Sequence, residues 1–90
     1  MIANGNGKRI EIDPHAALRA KQRGTNETQI IETVQHGEKF PVKDGRTGFR
    51  RNFTFAGKHN GTYYETIQLM VIAQEMPYGW LVVTVITKFF

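Results

Sequence analysis

This 90-residue sequence predicts an α+β fold, with two N-terminal helices packed on a four-stranded antiparallel sheet and a short N-terminal strand at an edge. Three observations carry the expectation. Between residues 13 and 37 apolar residues recur at helical spacing, bracketed by capping residues. From Lys39 onwards the pattern changes to period two. Clusters of turn-forming residues then cut the second half into strands.

The elements follow in order. Residues 9–12 alternate polar and apolar (R-I-E-I), which suits a short strand. Asp13 offers an N-cap oxygen, and Pro14 occupies the first helical position, where its missing N–H costs nothing. This helix runs to Arg23, and Gly24 supplies the left-handed residue that stops it. Thr25 or Asn26 caps the next helix, Asn26 with Gln29 approximating a capping box. Ile30, Ile31 and Val34 give that helix one apolar face, and Gly37 ends it. Residues 40–43 read as a short strand and residues 44–48 (D-G-R-T-G) as a loop. Phe49, Phe53 and Phe55 share one face of the next strand and are assigned to the core. Residues 57–61 connect it to a long strand over 63–73, residues 76–79 (M-P-Y-G) turn the chain, and residues 80–90 close the meander. Residues 1–8, with their Asn-Gly repeats, read as a flexible lead-in or the boundary of a longer parent, and residues 9–90 as a single domain.

Composition narrows the chemistry. The formal charge of +4 and pI of about 9.7 favour an acidic partner such as nucleic acid or an acidic protein. With no cysteine and no serine, thiolate chemistry and a serine nucleophile are excluded. Three histidines without metal-ligand spacing give no reason to expect a metal, and no cofactor motif is present. The apolar runs are too short to span a bilayer, and the N-terminus lacks the apolar segment of a secretory signal.

Metal-free acid–base chemistry remains. His15, Arg19 and Arg23 recur every four residues and fall within roughly 80° of one another on a helix. An RNA strand can be cut by its own 2′-hydroxyl if a neighbouring group moves protons and others hold the phosphate charge. Imidazole suits the first task because it titrates near neutrality. Guanidinium suits the second because its planar fork matches two phosphate oxygens. Arg46, Arg50 and Thr84, from loop and sheet, complete the set of parts. His36, in the last turn of the second helix, reads as a structural complement to the helix dipole, and His59 as a turn residue facing water.

The segment H-A-x-x-R-x-x-x-R-G with the helix that follows it (residues 15–37), G-R-T-G-F-R (45–50) and V-V-T-V (82–85) together resemble the small domains of the barnase/EndoU/colicin/RelE-like ribonuclease superfamily. The resemblance covers most of the chain after about residue 10. It implies two helices on a four-stranded antiparallel sheet and a metal-independent endoribonuclease toxin acting on cytoplasmic RNA, with tRNA the expected target. It further implies a cognate immunity or antitoxin protein. The setting would be either a toxin–antitoxin pair or contact-dependent inhibition, in which the domain is delivered as the C-terminal part of a secreted or cell-surface toxin. Carried over residue by residue, His15 matches the histidine of the first helix, Arg19 and Arg23 the arginines that follow, Arg46 a basic residue of the central loop and Thr84 the threonine of the last strand. His15, Arg19, Arg46 and Thr84 are the expected catalytic residues, and Arg23, Arg50, Tyr63 and Thr87 the expected substrate-binding ones. One departure stands out. Relatives often follow V-T-V with an aromatic hydroxyl, where this chain has Ile86; either Tyr63, Tyr64 or Thr87 substitutes, or the activity is weaker or absent. The alternative expectation is a non-catalytic RNA- or protein-binding module on the same fold.

Overall fold

A computed structural model describes residues 2–5 and 8–90. In chain order the elements are β1 (Ile2–Gly5), β2 (Lys8–Ile12), α1 (Pro14–Gln22), α2 (Glu27–His36), β3 (Glu38–Pro41), a 3₁₀ turn at Lys43–Gly45, β4 (Thr47–His59), β5 (Thr62–Met76) and β6 (Gly79–Phe89). The class is α+β with two helices, as the periodicity predicts. The sheet differs: it is mixed and six-stranded, in the order β1-β2-β6-β5-β4-β3. Of the residues read as a lead-in, Ile2–Gly5 form β1, while Met1, Asn6 and Gly7 lie outside the described residues.

The helix boundaries follow from local chemistry. Asp13 Oδ1 accepts from the His15 amide at 2.9 Å, satisfying one free donor of α1, and Pro14 opens the helix. Gly24, at φ +83, turns the chain out of α1. Asn26 Oδ1 then accepts from the Gln29 amide at 2.9 Å and starts α2. Both helices lie on one face of the sheet. Ala16 and Ala20 from α1, and Ile30, Ile31 and Val34 from α2, pack against Ile10, Ile12, Phe49, Leu69, Val71, Trp80, Val82 and Val85. Burying each large side chain of this set contributes about 1.5–3 kcal/mol. Phe49 meets Trp80 edge-on, with ring centroids 5.1 Å apart. Phe53 packs on the margin of the same core, and Phe55 meets Phe89 beyond it.

The strand over residues 9–12, expected at an edge, is interior. β2 lies between β1 and β6 and runs parallel to β6, pairing Arg9 with Gly79 and Ile12 with Val82. A parallel pair needs a long crossover, which the helices and hairpins between β2 and β6 provide. Gly79 makes the approach possible: at φ +144, a Cβ there would sit 2.1 Å from the Arg9 carbonyl oxygen.

Two irregularities reshape the long strands. Between β5 and β6, Ile72 pairs with Thr84 but Ala73 with Val82, so Val83 is an extra, bulged residue. Inward positions therefore change from even numbers, Trp80 and Val82, to an odd one, Val85. Between β4 and β5 the register shifts between Thr54 and Gly57. The connection expected over 57–61 shrinks to Asn60 and Gly61, because β4 continues to His59 and β5 begins at Thr62. His59 does not simply face water; its ring stacks on Phe89, centroids 4.1 Å apart and 12° from parallel.

Candidate functional site

The site is built by the divergence of β2 from β6. β2 follows β6 only as far as Val82, whose carbonyl accepts from the Asp13 amide at 3.0 Å. There the N-cap redirects the chain into α1, and the bulge at Val83 swings β6 on its own course. Between α1 and the far half of β6 a groove of ≈ 380 Å³ opens. His15, Ala16, Arg19 and Arg23 line one wall, and Val83, Thr84, Val85 and Ile86 the other.

Four of the eight predicted site residues thus meet in one place. His15, Arg19 and Thr84 are exposed side chains on its walls, and Arg23 is half-buried. The Arg23 guanidinium donates through Nη1 to the Val85 carbonyl oxygen, which fixes it across the groove. Among the described residues no carboxylate lines the groove, so its field is positive. Ile86, 41% exposed, stands where the resemblance implies an aromatic hydroxyl.

The other four lie outside the groove lining. Arg46 precedes β4, which is separated from β6 by β5, a distance of two strand spacings or about 10 Å. Arg50, on β4, pairs with Glu38 and lies over the Phe40 ring at 5.1 Å. Tyr63 is near the tip of the β4–β5 hairpin, and its hydroxyl donates to Glu65 at 3.0 Å. That bond, some desolvation and the charge of Glu65 all hold the Tyr63 phenol above its ordinary pKa. Thr87 is half-buried on β6, one residue past the groove lining. Tyr64, the remaining candidate hydroxyl, tilts against Phe89 at 5.4 Å.

Sequence spacing gives no sign of a second concavity, of ≈ 290 Å³, lined by Lys8, Gly37, Lys39, Phe49 and Trp80 among others. Lys8 and Lys39 reach it from separate strands and place their ammonium groups 5.2 and 5.3 Å from the Trp80 ring. Lys8 also pairs with Glu75 at 3.2 Å. Two long apolar stems covering a core indole account for this arrangement. Among the described residues no three histidine, aspartate or glutamate side chains cluster as a metal site would require, and no helix is long and apolar enough to cross a membrane.

No protein-family model matches the chain, and neither a curated protein nor a solved structure matches it.

Proposed function

We propose that the chain is a metal-independent endoribonuclease that cuts RNA, tRNA being the expected class, by attack of the 2′-hydroxyl on the adjacent phosphate. The observation that carries this reading is the shared groove of His15, Arg19, Arg23 and Thr84, brought together from α1 and β6. In this scheme the phosphodiester lies along the groove. His15, the one imidazole among the described residues of its walls, moves the proton between the 2′-hydroxyl and the leaving oxygen. Arg19 holds the charge that builds on the phosphorane. Arg23 keeps further N–H groups for the phosphate while bonded to Val85. Thr84 offers a hydroxyl to a non-bridging oxygen. The products are a 2′,3′-cyclic phosphate and a 5′-hydroxyl, and DNA, lacking the 2′-hydroxyl, is inert. Arg46, Arg50, Tyr63 and Thr87 take no part in this scheme. A cytoplasmic toxin held in check by a cognate immunity or antitoxin protein is the setting this activity would fit.

The test is incubation of the purified protein with total bacterial RNA in EDTA, beside a His15→Ala variant. Discrete fragments with cyclic phosphate ends from the parent alone are expected. Equal cutting by the variant would remove His15 from the mechanism. The second reading, a module that binds RNA without cutting it, is favoured by one observation: Ile86 puts an apolar group where a second proton carrier would stand. Retention of RNA without fragments would establish it.

A further inference from the structure

β6 carries an unpaired stretch of backbone whose direction follows from the ladder. The Phe90 amide donates to the Thr66 carbonyl at 3.0 Å and the Thr66 amide to the Phe90 carbonyl at 2.8 Å, so Thr66 and Phe90 exchange both bonds. In an antiparallel pair such positions alternate with non-bonded ones. Phe89 opposite Ile67, Thr87 opposite Leu69 and Val85 opposite Val71 are therefore non-bonded pairs. Their N–H and C=O groups point away from β5. β2 ends opposite Val82, so no strand meets them on that side. Among the described residues one partner is found there, the Arg23 guanidinium on the Val85 carbonyl. The bond also confirms the outward direction.

We infer that this edge of β6, residues 85–89, is a docking site for an extended acidic segment of a partner protein, which adds to the sheet as a further strand. Three features of the edge fit that occupant. Outward donors and acceptors recur every second residue, about 7 Å apart, which is the repeat of a β-strand. The adjoining groove presents Arg19 and Arg23 and, among the described residues, no carboxylate, so carboxylates alternating along the incoming strand find cations. Arg23 can leave the neutral Val85 carbonyl for a carboxylate, the stronger acceptor. A second copy of this chain fits worse: pairing β6 with β6 would bring two Arg23 side chains to one seam between molecules of charge +4. The inference concerns the edge and does not depend on the reaction proposed for the groove.

The experiment selects 12-residue peptides from a random displayed library on the intact protein, then measures binding to the parent and to Thr87→Pro. Thr87 forms a non-bonded pair with Leu69, so proline there removes an outward donor and no bond of the existing ladder. Selected peptides rich in Asp and Glu are expected, binding the variant at least ~10-fold more weakly, a loss of about 1.4 kcal/mol. In the parent they should slow hydrogen exchange at the amides of Val85, Thr87 and Phe89. No selected peptide, neutral or basic peptides, equal binding to the variant, or unchanged exchange at those amides would each overturn the proposal. So would a dimer of the chain that buries the same edge. The exchange measurement uses only the parent, so it decides the matter even if Thr87→Pro fails to fold. RNA cleavage is not read, and its failure would leave this result standing.

Discussion

Arg23, at the end of α1, donates its guanidinium to the carbonyl of Val85, on the part of β6 that β2 leaves uncovered. One side chain thus ties helix to sheet and blunts an open edge. Such an edge is a hazard for a small β-rich chain. Arg23→Ala is expected to cost about 1.5–3 kcal/mol in urea unfolding, the range for a hydrogen bond involving a charged group. Arg23→Lys should recover only part, because an ammonium lacks the planar fork. Equal stability of all three chains would show that the bond contributes nothing.

The arginines of the chain should separate by role. Arg19 lines the groove, where no carboxylate among the described residues competes for it, whereas Arg50 is engaged by Glu38 and Phe40. On the proposed function, Arg19→Ala lowers RNA cleavage about 10²–10³-fold, the usual loss for a donor on developing charge. Arg50→Ala leaves cleavage close to parental. Fragment yields at fixed protein and salt distinguish the two variants, and a reversed order would move the site to β4.

Gly79 is the residue on which the parallel pairing depends. An alanine there puts a Cβ against the Arg9 carbonyl at a positive φ, so Gly79→Ala should destabilise the fold by about 3 kcal/mol or more. Melting temperature reports the loss. Hydrogen exchange should locate it, with the amides of β2 losing protection before those of β4 and β5.

Tyr63 gives a pH signature away from the groove. Ionising its phenol would place a second negative charge beside the Glu65 carboxylate and break the bond between them, so the proton is held to higher pH. Phenolate absorbance of a chain in which Tyr64 and Tyr78 are phenylalanine should show Tyr63 titrating above the ordinary tyrosine value. Glu65→Gln should bring it down. RNA cleavage near neutral pH should be unaffected by that change, since Tyr63 lies outside the groove.

Much of the fold is legible because it is written in local chemistry. Asp13–Pro14, Gly24 and the Asn26/Gln29 pair each mark a helix boundary by the hydrogen bonds or backbone angle they favour, and each stands at one. The spacing of His15, Arg19 and Arg23 places them on one wall of the groove, and the β-branched run around Thr84 forms the other. What stays hidden depends on distant partners. R-I-E-I reads equally well at an edge or in the interior, and only the room made by Gly79 decides for the interior. V-V-T-V carries valine in both parities, so nothing in it marks Val83 as the extra residue. Arg46 and Arg50 are close in sequence to the aromatic strand, but the sheet order puts β5 between that strand and β6. His59 reads as a loop residue unless β4 is known to extend to it, where Phe89 waits on the same face.

The parallel contact of β2 with β6 also sets a timetable for folding. The β4–β5 hairpin closes across Asn60 and Gly61, a search over two residues, and needs little else to begin. Pairing Ile10 with Trp80 joins opposite ends of the chain, and that closure must wait until helices and hairpins have shortened the path between them. Until β2 arrives, all of β6 is an open template, so the interval between hairpin formation and β2 docking is when a nascent chain is most exposed to pairing with its neighbours.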